Sequence, residues 1–129
     1  MNASISPFSR VVTLAGNANP NRIAAHVRGR IIWVAANEIT HLRGEGNYTH
    51  IYTHKGVNYL VSKTLKSVME TLRADFMRIH KSCAVNPEFV TARVEPDTLL
   101  LTNGARLPIA RRRMREIQTL LSREYLAAG

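Results

Sequence analysis

Phe76–Asn86 reads FMRIHKSCAVN, and this stretch carries the pattern from which the fold class follows. The run Phe76–Ile79 is rich in apolar residues, and short apolar runs bounded by polar turns are typical of β-strands. The basic and polar segment His80–Ser82 comes next and precedes a second apolar stretch, Cys83–Val85. The pattern predicts β structure with a candidate contact segment at 80–82. A histidine with a purely structural role is the alternative for His80.

Similar runs of β-branched and aromatic residues recur between turn signals over most of the chain, which predicts a mainly β fold. Lys55-Gly56 and Asn103-Gly104 each separate two such runs. Asn-Gly in particular supplies the positive φ angles of a tight hairpin turn, so both pairs are predicted to be antiparallel hairpins. The predicted strands, including those of the two hairpins, are Arg30–Val34, Ile39–Arg43, Tyr48–His54, Val57–Val61, Phe76–Ile79, Phe89–Val94, Thr98–Thr102 and Arg106–Ile109.

Two segments have helical spacing instead. In Thr64–Arg73 and in Arg111–Tyr125 the apolar residues recur three and four positions apart, so each segment is predicted to be a short amphipathic helix. The apolar positions are Leu65, Val68, Met69 and Leu72 in the first helix, and Met114, Ile117, Leu120 and Leu121 in the second. Burial in the core explains the first set, and no function is assigned to that helix.

The two ends of the chain differ in composition. Residues 1–22 are rich in Ser, Asn, Gly and Pro and are predicted to form a flexible N-terminal leader, followed by one domain over residues 23–129. Arg10 interrupts the leader, which lacks an unbroken apolar region followed by a cleavage site, so it does not read as a secretory signal. No stretch reaches the roughly 20 apolar residues of a membrane span. A cytoplasmic protein is expected.

The charge balance points to a polyanionic partner. Eighteen Lys and Arg stand against nine Asp and Glu, which gives a net charge of +9 and a pI near 10.6. Nucleic acid is the partner that best fits such an excess. The alternative is that the charge only keeps a small protein soluble.

Four arginines crowd the start of the predicted C-terminal helix: Arg111, Arg112, Arg113 and Arg115. The helix dipole is positive at this end, so cations are disfavoured there unless an anion docks among them. Free backbone N–H groups and guanidinium groups would then converge on phosphates. A solvated charge run is the alternative interpretation.

A third candidate is the segment Gly44–His50, predicted to be a loop that enters a strand. Its residues Asn47, Tyr48, Thr49 and His50 combine flexibility with side chains able to hydrogen-bond base edges. An ordinary polar turn is the alternative.

The sequence offers little for catalysis or metal binding. His50 and His54 on one strand lie roughly 13 Å apart, too far to share a metal ion. Cys83 has apolar neighbours that raise the pKa of a thiol and make it inert. We therefore expect a protein that is not an enzyme and has no metal or cofactor.

Several motifs together resemble the LytTR DNA-binding domains of bacterial response regulators. The resemblance runs from about Ile23 to Leu121 and rests on the order of four segments. They are Glu38-Ile39-Thr40-His41-Leu42 leading into Gly46-Asn47-Tyr48, the helix start Thr64-Leu65, the string Phe76–Asn86 with Phe-x-Arg-x-His-x-Ser-x-x-Val-Asn, and Pro108-Ile109-Ala110-Arg111. The resemblance implies an elongated arrangement of about ten mostly antiparallel strands with two short helices.

The resemblance also implies how DNA is contacted. Loops and turns of the β fold, rather than a recognition helix, would reach into successive major grooves of double-stranded DNA. Carried over by position, the contacts are Asn47, Tyr48, Thr49 and His50, then His80, Lys81 and Ser82, then Arg111 with Arg112, Arg113 and Arg115.

Two departures from the family accompany the resemblance. Ala110 stands where the family often has Ser, and Cys83 where an aromatic or aliphatic residue is common. Residues 1–22 are too short for the receiver domain that usually precedes such a domain, so phosphorylation of this chain is not expected.

The resulting hypothesis is a stand-alone, sequence-specific transcription regulator. The resemblance implies binding to promoter repeats as two copies, with an inhibitory membrane or signalling protein as a second partner. The alternative is a non-catalytic protein-interaction module that restrains, or is restrained by, a signalling partner.

Overall fold

The structure is a computed structural model that describes residues 21–119 and contains ten strands in that range. The strands are β1 Arg22–Val27, β2 Arg30–Ala35, β3 Ile39–Glu45, β4 Tyr48–Thr53, β5 Asn58–Val61, β6 Met77–His80, β7 Cys83–Val85, β8 Val90–Glu95, β9 Thr98–Leu101 and β10 Arg106–Pro108. Helix α1 is Leu65–Leu72, and residues 114–119 form the described part of a second helix, α2. Short 3₁₀ turns lie at Ala36–Glu38, Pro87–Phe89 and Arg111–Arg113.

The strands form three antiparallel sheets. The largest has the order β5-β4-β3-β7-β6, the second has the order β8-β9-β10, and β1 pairs with β2 in a separate hairpin. The mainly β class with antiparallel pairing and two short helices is therefore confirmed.

Both predicted hairpin turns are present. Gly56 has a φ of +84° between β4 and β5, and Gly104 has a φ of +87° between β9 and β10. Each turn is closed by backbone hydrogen bonds, from Thr53 N to the Val57 carbonyl and from Leu101 N to the Ala105 carbonyl. Glycine adopts this left-handed conformation without steric cost, which explains its place in both turns.

The five-stranded sheet is covered on parts of both faces by two separate apolar clusters. Along β7, Ala84 belongs to one cluster, and Cys83 and Val85 belong to the other, because alternate side chains of a strand point to opposite faces. The first cluster contains α1 and the inner face of the β1–β2 hairpin. The second joins β6 and β7 to the three-stranded sheet and to Ile117 of α2.

Helix α1 has the boundaries that its sequence predicts. The Thr64 hydroxyl accepts a hydrogen bond from Ser67 N (3.2 Å), and Arg73 ends the helix in the left-handed conformation. Within residues 21–119, no helix is long and apolar enough to cross a membrane.

The predicted segments at both chain ends extend beyond the described residues. The predicted C-terminal helix begins one turn late, because Arg111–Arg113 forms a 3₁₀ turn and regular helix follows from residue 114. Its last part, with Leu120 and Leu121, lies outside the described residues, as do residues 1–20 of the predicted leader.

Candidate nucleic-acid interface

Two of the three candidate segments meet at one end of the five-stranded sheet. The β3–β4 turn at Gly46-Asn47 and the β6–β7 turn at Lys81-Ser82 are neighbours because β7 pairs antiparallel with β3, with Cys83 opposite Arg43. The pairing continues beyond the strand, since Gly44 N donates to the Ser82 carbonyl at 2.8 Å.

The third segment joins them along the edge strand β6. Ala110 N donates to the Ile79 carbonyl at 2.7 Å, and the Arg113 guanidinium donates to the Arg78 carbonyl at 3.2 Å. These bonds hold the 3₁₀ turn Arg111–Arg113 beside the β6–β7 turn. We call the surface formed by turns 46–47 and 81–82 and the arginines 111–115 the sheet-end surface.

The β3–β4 connection is a tight turn rather than the predicted loop. Glu45 pairs with Tyr48 across the turn, and Gly46 has a φ of +60°. Asn47 is exposed at the tip, and Tyr48 is half exposed at the start of β4. Both side chains are therefore available to a partner.

The next two residues of β4 are less available. Thr49 is fully buried, and its hydroxyl donates to the Lys63 carbonyl at 2.8 Å, so its side chain does not reach the surface. His50 is part-buried, and its Nε2 lies 3.0 Å from a carboxylate oxygen of Glu45. Thr49 points inward because successive side chains of a strand point to opposite faces of the sheet.

The β6–β7 turn is held by a network around His80. Ser82 N donates to Nδ1 of His80 at 3.2 Å, and the Ser82 hydroxyl lies 3.0 Å from the same nitrogen. A backbone N–H bound to Nδ1 requires that nitrogen to be the acceptor, so the neutral ring carries its proton on Nε2. Nδ1 of His80 therefore accepts hydrogen bonds within the turn, and Nε2 carries a hydrogen that it can donate to a partner.

Arg78 fixes the same turn from its other side. Its Nε donates to the His80 carbonyl at 2.9 Å, and a terminal nitrogen donates to the Lys81 carbonyl at 2.5 Å. The pKa of Arg78 is lowered by burial, and further by the nearby charges of Arg113 and Arg112. Three guanidinium groups therefore converge beside the turn.

The four arginines are not equivalent. Arg111, Arg112 and Arg115 are exposed, whereas Arg113 is part-buried and lies 3.7 Å from the Glu116 carboxylate. Nε of Arg113 is buried and has no hydrogen-bond partner among residues 21–119. Arg113 therefore contacts other residues of the protein, whereas the other three side chains are exposed.

Sequence reasoning missed two basic residues at this end of the sheet. Lys63 is exposed just after β5, where its carbonyl accepts the Thr49 hydroxyl. Arg43 is exposed on β3, opposite His50 on one side and Cys83 on the other. Each is an isolated charge in the sequence, and only the strand pairing brings it to the sheet-end surface.

Residues 21–119 show few features of a metal-binding site or of a reactive thiol. No group of His, Cys, Asp or Glu side chains in this range could hold a metal ion. Burial raises the pKa of the Cys83 thiol to about 11, although Arg43 and Arg78 act in the opposite direction.

An open cleft of about 460 Å³ lies at the other end of the five-stranded sheet, between Ala36 and Pro87.

Known proteins are similar to this chain in sequence. The family model of the LytTr DNA-binding domain matches residues 29–122. The sensory transduction protein LytT of Bacillus subtilis (strain 168) is 27% identical over 111 residues, which cover 81% of this chain and 45% of that protein. The chain therefore spans about half the length of this relative.

A solved structure has the same fold. The LytTr DNA-binding domain of a putative methyl-accepting/DNA response regulator from Bacillus cereus superposes with a TM-score of 0.68. It is 20% identical, and the match covers 80% of this chain and 98% of that chain. The family model matches most of the chain, including every segment of the sheet-end surface. We therefore conclude that the chain belongs to the LytTr DNA-binding domain family, which is associated with the regulation of transcription.

Proposed function

We propose that the chain is a sequence-specific transcription regulator that grips double-stranded DNA with the sheet-end surface. The observation that carries the proposal is the convergence of three segments, separate in sequence, at one end of one sheet. Turns at a sheet end project beyond the strands, so several of them can enter successive major grooves at once. The excess of positive charge supplies the attraction to phosphate.

We assign base reading to three side chains that project from parts of the backbone held by hydrogen bonds. Asn47 is presented by a two-residue turn, and an amide side chain can bind adenine through two hydrogen bonds. His80 offers an Nε2 donor, which suits the acceptors of guanine or thymine in the major groove. Arg111 follows the anchored Ala110 and is placed to bind guanine with both guanidinium nitrogens.

Phosphate contacts fall to the exposed cations around these readers. Lys81, Arg112 and Arg115 are exposed at the sheet-end surface, and Lys63 is exposed beside it. Contacts of this kind set orientation and affinity but do not distinguish bases. Tyr48 and Ser82 border the readers, and Ser82 acts through its bonds to His80. Thr49 is excluded from the interface by its burial.

We further propose that two copies bind to repeated sites in a promoter, each with its own sheet-end surface. Sedimentation tests this point by measuring the mass of the complex that forms on a duplex with two copies of the recognised sequence. Two chains per duplex are expected, and one chain per duplex would contradict it.

The experiment that tests the function starts from a pool of random duplexes. Repeated selection with the full chain should enrich one sequence motif. Asn47→Ala should then weaken binding to the selected duplex by about 1–3 kcal/mol and have a much smaller effect on a shuffled duplex.

Lysines at opposite ends of the same sheet provide a matched control. Lys81→Ala should lower the slope of log affinity against log salt by about one unit. Lys55→Ala, in the β4–β5 turn at the far end, should leave the slope unchanged. Failure to enrich any motif, or equal effects of both lysine variants, would contradict the proposed function.

A further inference from the structure

Glu45 is an exposed acidic residue at the border of the basic sheet-end surface. It is the last residue of β3, it pairs with Tyr48 across the turn at Gly46-Asn47, and its side chain is 79% exposed. It lies two residues before Asn47, to which we assign base reading. A partner that contacts this turn would therefore also meet the carboxylate.

A negative charge at this position is unfavourable for contact with phosphate. Like charges repel, and the repulsion acts over roughly 8 Å at physiological salt. Another carboxylate near this surface, that of Glu116, lies 3.7 Å from the Arg113 guanidinium, so a cation offsets its charge. Within residues 21–119, Glu45 forms an ion pair only with His50, which is charged only when protonated. The carboxylate of Glu45 therefore favours DNA binding only if a donor on the DNA bonds to it.

His50 holds the Glu45 side chain in place. Nε2 of His50 lies 3.0 Å from one carboxylate oxygen of Glu45, and the two residues are diagonal neighbours on β4 and β3. Diagonal neighbours of this kind lie on one face of a sheet. The other carboxylate oxygen has no hydrogen-bond partner among residues 21–119. Because carboxylate oxygens accept hydrogen bonds, this second oxygen can bind a donor of a partner.

We propose that Glu45 reads a cytosine in the major groove by accepting a hydrogen bond from its N4 amino group, and that His50 positions the carboxylate. This inference rests on the proposed function, because it requires the β3–β4 turn to enter the groove. A carboxylate offers acceptors only, so it suits a base edge that presents a donor without an acceptor beside it.

The base edges in the major groove favour cytosine over the other three bases. Cytosine presents its N4 amino donor, whereas thymine presents the O4 acceptor and guanine presents the N7 and O6 acceptors. Adenine presents a donor at N6, but its N7 acceptor lies beside that donor and repels a carboxylate. The amide of Asn47 carries both a donor and an acceptor and suits adenine, so the two side chains of this turn would read different bases.

Glu45→Ala should change the affinities for the selected and the shuffled duplex in opposite directions. Affinity for the selected duplex should fall about tenfold, because the cytosine amino group loses its acceptor. Affinity for the shuffled duplex should rise about twofold, because a charge that repels phosphate is removed. Fluorescence anisotropy titrations at one salt concentration measure both values. Glu88→Ala removes an exposed carboxylate at the other end of the sheet and should change neither affinity.

A modified base tests the same bond from the side of the DNA. In N4-methylcytosine the methyl group occupies the place of the amino hydrogen that faces the major groove, and base pairing is retained. Methylation of each cytosine of the selected duplex in turn should identify one position at which the unaltered chain binds about tenfold more weakly. Glu45→Ala should bind this methylated duplex and the unmethylated duplex equally.

The positioning role of His50 has its own readout, the ratio of affinities for the unmethylated and the methylated duplex. His50→Phe removes the ring nitrogen that contacts Glu45 and should lower this ratio. His50→Gln keeps a donor near the place of Nε2 and should retain most of it. An unchanged ratio in His50→Phe would overturn the positioning role.

The outcomes for Glu45 are distinct. If Glu45→Ala binds the selected and the shuffled duplex more tightly to the same degree, the carboxylate only repels phosphate and the proposal is overturned. Equal losses on cytosine methylation in the unaltered chain and in Glu45→Ala would also overturn it. Failure of the unaltered chain to enrich any motif would contradict the proposed function itself, and this inference with it, so the two failures are distinguishable.

Discussion

Arg111 is positioned by its neighbour rather than by bonds of its own side chain. Ala110 N donates to the Ile79 carbonyl of β6, which fixes the backbone from which Arg111 projects. A guanidinium group in a fixed place can bind guanine with two nitrogens, whereas lysine offers a single point charge.

We expect Arg111→Ala and Arg111→Lys each to weaken binding to the selected duplex by roughly 2 kcal/mol. Fluorescence anisotropy titrations at one salt concentration measure this loss. Arg115→Lys, at an exposed position nearby, is the control and should change affinity little. Retention of full affinity and sequence preference by Arg111→Lys would show that Arg111 contributes only its charge.

Arg78 is expected to act on DNA recognition through the β6–β7 turn. Its two bonds to the carbonyls of His80 and Lys81 need the planar, forked guanidinium, which lysine cannot replace. Arg78→Lys keeps the charge but should reduce the ratio of affinities for selected and shuffled duplex about tenfold, equivalent to about 1.4 kcal/mol.

Two readouts separate positioning from simple charge or stability. The slope of log affinity against log salt should be the same for Arg78→Lys and for the unaltered chain. The chemical shifts of the His80 ring should change in the variant. An affinity ratio that stays constant while only the unfolding free energy falls would assign Arg78 a structural role alone.

At the level of single residues, exposure could be predicted where it follows from a turn. Asn47 and Lys81 occupy turn tips, and Arg111 follows a strand end, so their accessibility follows from local chemistry. The burial of Thr49 could not be predicted in this way, because it depends on the alternation of β4 and on the Lys63 carbonyl from a later segment. The internal bonds of Arg113 depend on tertiary contacts in the same way.

Strand β3 contains a buried histidine that should make stability depend on pH. His41 is 4% exposed and stacks flat on Tyr52 of β4, with ring centroids 4.3 Å apart. Burial, and to a smaller extent the charge of Arg43, lowers the pKa of His41 from 6.5 to about 4.

The direction of the effect follows from proton uptake. Above pH 6.5 His41 is neutral in both states, and as the pH falls towards 4 the unfolded chain binds a proton that the folded chain excludes. The unfolding free energy should therefore fall over this range, by about 3 kcal/mol at most from this group.

Urea titrations between pH 8 and pH 4 measure this loss. His41→Phe keeps a flat ring on Tyr52 and should remove this part of the pH dependence, whereas His26→Phe, at an exposed position of β1, should retain it. Parallel curves for the unaltered chain and His41→Phe would show that His41 titrates normally in the folded state.

Elements were predicted where local signals are strong. The β4–β5 and β9–β10 hairpins and α1 follow from turn residues and periodicity, and all three are present. Strand β1 was missed because its sequence RIAAHV contains two alanines and a histidine, which dilute the β pattern. Its pairing with β2, through the turn at Arg28-Gly29, stabilises a strand that its own residues favour only weakly.

The short strand β7 shows a second reason for incomplete prediction. Cys83–Val85 is only three residues long, yet it lies between β3 and β6 and is buried throughout. Its sequence indicates burial but not its neighbours. Those neighbours bring turns 46–47 and 81–82 together, so the sheet-end surface could be predicted as separate segments but not as one site.

At the scale of the whole molecule, the two apolar clusters lie on the faces of the five-stranded sheet. One cluster packs against α1 and the hairpin, and the other packs against the three-stranded sheet and α2. The turns 46–47 and 81–82 contain no residue of either cluster, and the basic residues of three segments gather at that end of the sheet. Under the proposed function, turns of the β domain rather than a recognition helix would contact DNA.

The most direct test of this account is a map of amide chemical shifts on titrating the labelled full chain with the selected duplex. We predict that the largest changes fall at residues 45–48, 80–83 and 110–115, and that the cleft near Ala36 and Pro87 changes little. Largest changes at that cleft or along the β1–β2 hairpin, with residues 80–83 unchanged, would contradict the account.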